Sequence, residues 1–300
     1  MEIVREIKKW KEQRNALILA HLYQRPEIQD IADLLGDSLE LSKKARDTEA
    51  EVIVFCGVWF MAETAKILNP RKTVLIPQPD AGCPMADMVT AADVLALRET
   101  YPDAAVVCYV NSSAAVKAVS DICCTSSNAV KVVQSLKEER VIFVPDRNLG
   151  HYISRFVKDK EIILFDGYCP VHQQISLADT QKMRRAHLDA ALLVHPECPP
   201  EVLDGADFVG STKQIIDYAA KSEKTAFVIG TEGGVLHRLQ EICPEKQFYL
   251  LQEEILCPDM KKTTLSSVRD ALAQRKHEVT LDPEVIEKAS VSLERMLSLS

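Results

Sequence analysis

The 300-residue sequence predicts an α/β fold of three similar three-layer αβα domains, with parallel sheets around a pseudo-threefold axis. Three observations lead there. Apolar runs ending in polar clusters occur at 16–24 (ALILAHLYQ), 105–113 (AVVCYVNSS) and 191–199 (ALLVHPECP), as buried parallel strands entering loops should read. His21, Tyr109 and His195 hold one position in these runs and are separated by 88 and 86 residues. Ser38, Ser126 and Thr212 repeat with the same two offsets, each 17 residues after its strand-end partner and each opening a helical pattern.

The elements follow in order. Helical patterns at 2–14, 90–100 and 176–187 precede the three first strands. Third strands read EVIVFCG, RVIFVPD and TAFVIGT, with helices starting near Phe60, Leu149 and Val235. Fourth strands read TVLIPQ, EIILFDG and QFYLLQE. Alternating strands and helices imply parallel sheets covered on both faces. The expected domains are 1–88 with the tail 263–300, 89–175 and 176–262. The tail reads as two helices, the second opened by Asp282-Pro283, and is expected to pack on the first domain.

Composition narrows the function. Hydrophobic residues make up 47% and charged residues 27%, enough for a packed core. Net charge is −8, which disfavours a nucleic-acid partner, since that needs a basic face. No apolar run reaches the length of a membrane span, and the amphipathic start Met1–Glu6 has no signal-peptide core, so a soluble cytoplasmic protein is expected. Walker A, GxGxxG and GxSxG motifs are all missing.

Nine cysteines are present without any CxxC. In a reducing compartment they do not read as a disulfide framework. Only one cysteine position is threefold: Cys83-Pro84, Cys169-Pro170 and Cys257-Pro258, each after a fourth strand. Cys56, Cys108, Cys198 and Cys243 have no cysteine partner in the repeat and read as structural; the adjacent Cys123 and Cys124 read as buried thiols. Strand carboxyl ends form the ligand face of open parallel sheets. Three such domains about one axis would bring three thiols to one point. That suits tetrahedral zinc with an open position, or a [4Fe–4S] cluster with one open iron acting as a Lewis acid. A zinc-tied scaffold and a hydro-lyase of another substrate remain alternatives at this point.

The strings AHLYQ, GDSLELS, FMAETAKILNP, CPMAD, YVNS, CTSSNAV, PDRNLG, GYCPVHQ, VHPECP, GSTKQI, GTE and CPDMKK span residues 16–262 and resemble the quinolinate synthase family. The resemblance implies a pseudo-threefold α/β fold with one [4Fe–4S] cluster per chain, held by one cysteine from each domain. It implies condensation of iminoaspartate with dihydroxyacetone phosphate to quinolinate, with loss of phosphate and two waters, for NAD biosynthesis. The resemblance also leaves room for transient contact with the imine-producing enzyme. Residue by residue, Cys83, Cys169 and Cys257 match cluster ligands. His21, Ser38, Tyr109, Asn111, Ser126, His195, Glu197 and Thr212 match substrate-binding positions. Tyr23 matches an acid–base residue and His172 an active-site histidine. Leu22 stands where the family has Asn, Trp59 where it has Asp, and Asp259, in Cys257-Pro258-Asp259-Met260, where it has Asn.

The chemistry suits these residue types. Hydroxyls at three helix starts, beside free N–H groups, make an anion site without net positive charge. Histidines after strands suit proton traffic. We expect Glu197 and Tyr23 as acid–base groups, with His21, Tyr109, Asn111 and His195 orienting carboxylates and phosphate.

Overall fold

The computed structural model describes residues 2–299. It contains three four-stranded sheets, and every paired strand within them is parallel. In the first unit the strands are β1 (Ala16–His21), β2 (Leu34–Gly36), β3 (Val52–Cys56) and β4 (Thr73–Leu75), and in the second β5 (Ala105–Tyr109), β6 (Ile122–Cys124), β7 (Arg140–Val144) and β8 (Glu161–Leu164). The third holds β9 (Ala191–Val194), β10 (Phe208–Val209), β11 (Ala226–Gly230) and β12 (Gln247–Leu250). Each sheet has the spatial order second, first, third, fourth. Such an order reverses direction between the first and third strands, and the crevice beyond their carboxyl ends is where open α/β sheets bind ligands.

The central strands β1, β3, β5, β7, β9 and β11 are mostly apolar and buried, as parallel strands covered on both faces must be. Polar fittings repeat as well. The aspartates Asp33, Asp121 and Asp207 accept the backbone N–H of Ile18, Val106 and Leu192 at 2.8, 2.7 and 2.7 Å, pinning each first strand to the start of the second. Lys72, Lys160 and Lys246 each donate to carbonyls where the helix after the unit's second strand ends, at Thr48, at Leu136 and Glu138, and at Ala219 and Ser222 respectively. α5 (Ala91–Thr100) and α10 (Leu177–Ala186) start in capping boxes, Thr90 with Asp93 and Ser176 with Asp179.

The tail divides between two units. α14 (Leu265–Gln274) packs with α1 (Glu2–Gln13) on the first sheet through Val268 and Leu272. α15 (Pro283–Ser298), expected on the first unit, lies against α6 (Ala114–Ala118) and β6 of the second and also touches α4 (Trp59–Leu68). Its apolar face, Ala289, Leu293, Met296 and Leu297, completes the core around β5 and β7. The cause is coverage: α6 has only five residues, too short to cover that sheet face, and a sixteen-residue helix does so. Among the described residues no helix is long and apolar enough to cross a membrane.

Leu293 is fully buried in this core. Leu293→Ala is expected to lower the unfolding free energy by about 2–5 kcal/mol, read from urea denaturation. A change under about 0.5 kcal/mol would mean that α15 does not seal the second unit.

Candidate active site

The carboxyl ends of all three sheets border one cavity. His21, Tyr23, Ser38, Tyr109, Asn111, Ser126, Cys169, His172, His195, Glu197, Thr212, Cys83 and Cys257 all line it, so the structure gathers every site residue expected from the sequence. They come from three places in each unit: the end of the first strand, the start of the helix after the second strand, and the loop after the fourth.

The strand ends set the donors. The backbone N–H of Tyr23 donates to His21 Nδ1 at 3.1 Å, and that of Glu197 to His195 Nδ1 at 3.4 Å. The two histidines occupy the same repeat position and take the same local bond, which leaves Nε2–H as the protonated edge of each neutral ring. His195 Nε2 lies 3.2 Å from Ser126 Oγ. Burial, partly offset by nearby carboxylates, pushes His21 down to about 4 and His195 down to about 3. Both are therefore uncharged donors near neutral pH.

Glu197 is the hub of the polar network and is 4% exposed. Tyr109 Oη donates to its Oε1 at 2.7 Å, and His172 Nδ1 lies 2.7 Å from Oε2. Burial works against its charge, but the facing His195 and His172 and these hydrogen bonds outweigh it and hold the carboxyl below its ordinary value. On the far side of the ring, His172 Nε2 lies 2.8 Å from Thr231 Oγ1, which is 2.6 Å from Tyr23 Oη. Tyr23 Oη also meets Thr212 Oγ1 at 2.8 Å. With Nδ1–H given to Glu197, Nε2 is the acceptor, so a continuous line runs Tyr23, Thr231, His172, Glu197 through all three units. Burial raises the Tyr23 and Tyr109 phenols well above their usual value, keeping both protonated.

Thr231 was not singled out from the sequence. It is fully buried in GTE, directly after β11, and its signal was the strand-end position itself. Glu232 was missed too. It accepts the backbone N–H of Cys257 at 3.1 Å and pairs with Lys261 at 2.8 Å. Lys261 also donates to the carbonyl of Tyr23, tying the third unit's Cys-Pro loop to the first unit's strand end.

The three Cys-Pro turns share a physical logic. Cys169 is the N-cap and Pro170 the first residue of the short helix α9 (Pro170–Gln173). Proline has no N–H to lose there, and the next amides point back at the cap. The sulfur of Cys169 accordingly faces the His172 amide, that of Cys83 the Met85 and Ala86 amides, and that of Cys257 the Asp259 and Met260 amides. Burial pushes the Cys83 thiol up to about 12 and raises the other two; neighbouring charges add to it, Cys257 at Cys83, Glu197 and Cys83 at Cys169, and Glu232 and Asp259 at Cys257. Thiols that resist ionisation alone, yet have amides aimed at each sulfur, fit a centre whose metal charge offsets deprotonation. Cys169, His172 and Glu197 also bring ligand atoms within 4.8 Å of one another. The buried Asn111 Oδ1 has no protein partner and is an acceptor left for a ligand.

Of the three departures, Asp259 lines the cavity and Leu22 and Trp59 do not. Leu22 packs into the core of the third unit with Ile215 and Ile229, so it makes a contact between units. Trp59 opens α4 and its N–H donates to the Ala81 carbonyl at 2.7 Å.

A family model described as quinolinate synthetase A protein matches residues 5–298. The chain is 54% identical over 299 residues to a quinolinate synthase of Caldicellulosiruptor saccharolyticus, covering 100% of this chain and 99% of that one. It is 54% identical over 294 residues to one of Methanoregula boonei (98% and 97%), and 50% identical over 304 residues to one of a Sulfurihydrogenibium species (100% and 99%).

The low His21 value has a consequence for folding. An unfolded chain protonates His21 below pH 6.5, whereas the folded chain keeps it neutral down to about 4. Stability therefore falls as pH drops from 6.5 towards 4, by up to about 3 kcal/mol from this residue. Urea titrations across that window are expected to show a shallower loss in His21→Gln than in the parent; equal slopes would remove the burial argument.

Proposed function

This chain belongs to the quinolinate synthetase A family and is an enzyme of the quinolinate synthase type in NAD biosynthesis, and from that premise we propose that it condenses iminoaspartate with dihydroxyacetone phosphate, releasing phosphate and two waters. The observation that carries the reading is the joining of Tyr23 to Glu197 through Thr231 and His172 beside three inward cysteines.

The substrates are anions. Among the described residues no lysine or arginine lines the cavity, while Asp37, Glu197, Glu232 and Asp259 do. Affinity must therefore come from oriented neutral donors and from a bound cation. Cys83, Cys169 and Cys257 would hold a [4Fe–4S] cluster, and when bound it supplies a Lewis-acidic iron for a carboxylate or hydroxyl. His21 and His195 present Nε2–H groups without charge; Ser38 and Thr212, each the first residue of a helix, and Ser126, in the turn before one, present hydroxyls. The free Asn111 Oδ1 accepts from a substrate hydroxyl or amine.

Proton transfer divides between two groups that stay in opposite states. Glu197 remains a carboxylate and acts as base on carbon-bound protons. Tyr23 remains a phenol and acts as the donor to a departing oxygen. The proton Glu197 takes from carbon balances the one Tyr23 gives up, and passage along His172 and Thr231, with His172 exchanging its proton between Nδ1 and Nε2, restores both groups.

Anaerobic incubation of the cluster-loaded protein with both substrates, followed by detection of quinolinate, tests the reading. Product is expected, and none from a coloured, loaded protein would overturn it. Glu197→Gln is expected to lower kcat by about 100-fold or more with the cluster's visible absorption intact. Cys169→Ser should remove both absorption and turnover.

A further inference from the structure

Asp37, Thr125 and Ser211 hold one repeat position, directly before Ser38, Ser126 and Thr212. Only the first is a carboxylate. Asp37 is the N-cap of α3 (Ser38–Asp47), and its Oδ1 accepts the amides of Leu39 and Glu40 at 3.1 and 3.2 Å. Its Oδ2 faces the other two units. Ser127 Oγ of the second unit lies 2.7 Å away, and Ser211 Oγ of the third lies 3.1 Å away. Ser127 and Ser211 are 2.7 Å from each other. Ser211 is in turn the N-cap of α12 (Thr212–Lys221), and Ser127 stands two residues before α7 (Ala129–Ser135). Asp37 is 5% exposed and Ser211 is fully buried.

The proton count is informative. Two serine hydroxyls supply two protons for three short contacts. Ser127 donating to Ser211, and Ser211 to Asp37, satisfies both with the carboxylate as the final acceptor. The electrostatics agree. The amino ends of α3 and α12, each ten residues long, meet here and carry positive partial charge, so bringing them together is unfavourable without an anion between. A resident carboxylate supplies that charge before any substrate arrives.

We infer that Asp37 is a positioning residue that ties the three hydroxyl-bearing helix starts to one another and so sets the spacing of Ser38, Ser126 and Thr212 for an anionic substrate group. It acts through its neighbours: the carboxylate fixes the hydroxyls and amides beside it, and these carry Ser38, Ser126 and Thr212. The inference rests on the proposed reaction only for which anion that is.

Hydrogen exchange on the cluster-loaded protein reads the tie directly. Asp37→Ala is expected to speed amide exchange at the starts of α3, α7 and α12 together, whereas acceleration confined to α3 reduces Asp37 to a local cap and overturns the inference. In the assay the KM for dihydroxyacetone phosphate should rise about tenfold, with kcat changed much less. An unchanged or lowered KM also overturns it. Ser127→Ala leaves the cap of α3 intact. It should still raise that KM, by roughly threefold, and speed exchange at α12, and a parental profile in both would exclude the tie even if Asp37→Ala misfolds. If the parent makes no quinolinate, the reaction assigned above fails, while the exchange pattern still decides the role of Asp37.

Discussion

Three sheets with one strand order turn their carboxyl ends towards a shared space, and the site exists because of that constraint. In each sheet the chain leaves the first strand towards one edge and the third strand towards the other, so a crevice opens between them. His21, Tyr109 and His195 stand at or just after first-strand ends, and Thr231 and Glu232 directly after a third. No unit holds a complete set of groups. Glu197 belongs to the third unit but is satisfied by Tyr109 and His172 of the second, and Tyr23 of the first is satisfied by Thr212 and Thr231 of the third. Catalytic geometry and the packing of the units on each other are therefore one problem, solved by the same hydrogen bonds.

Burial gives these bonds their weight. In a low-dielectric space a carboxylate survives only when donors surround it, and burial keeps an imidazole neutral unless nearby acids outweigh it. Glu197, Glu232 and Asp37 each meet the condition differently: with a tyrosine and imidazoles, with Lys261 and two backbone amides, and with amides and serine hydroxyls. The result is a cavity whose acids are all engaged and in which His21 and His195 donate without charge. That arrangement suits anionic substrates better than a lysine-lined pocket would, because neutral donors bind a carboxylate without quenching the neighbouring base.

The repeat is strict where it serves the fold and loose where it serves chemistry. The strand-pinning aspartates and the helix-ending lysines recur in all three units. At the position just past the third strand, by contrast, the units carry Val58, Asp146 and Glu232. Asp37, Thr125 and Ser211, which share a repeat position, differ likewise, and it is the odd carboxylate among them that all three units share.

Periodicity in the sequence determined the three units, their strand and helix order and the common position of three cysteines, because burial on both faces forces an apolar run and a repeated fold forces a repeated offset. It also marked His21, Tyr109, His195 and the hydroxyls behind them, since strand ends and helix starts are local features. The roles of Thr231, Glu232, Lys261 and Asp37, and the seating of α15 on the second unit, were decided only by the tertiary structure. Each depends on a partner tens to hundreds of residues away, and a hydrogen bond or an apolar contact of that span leaves no period along the chain.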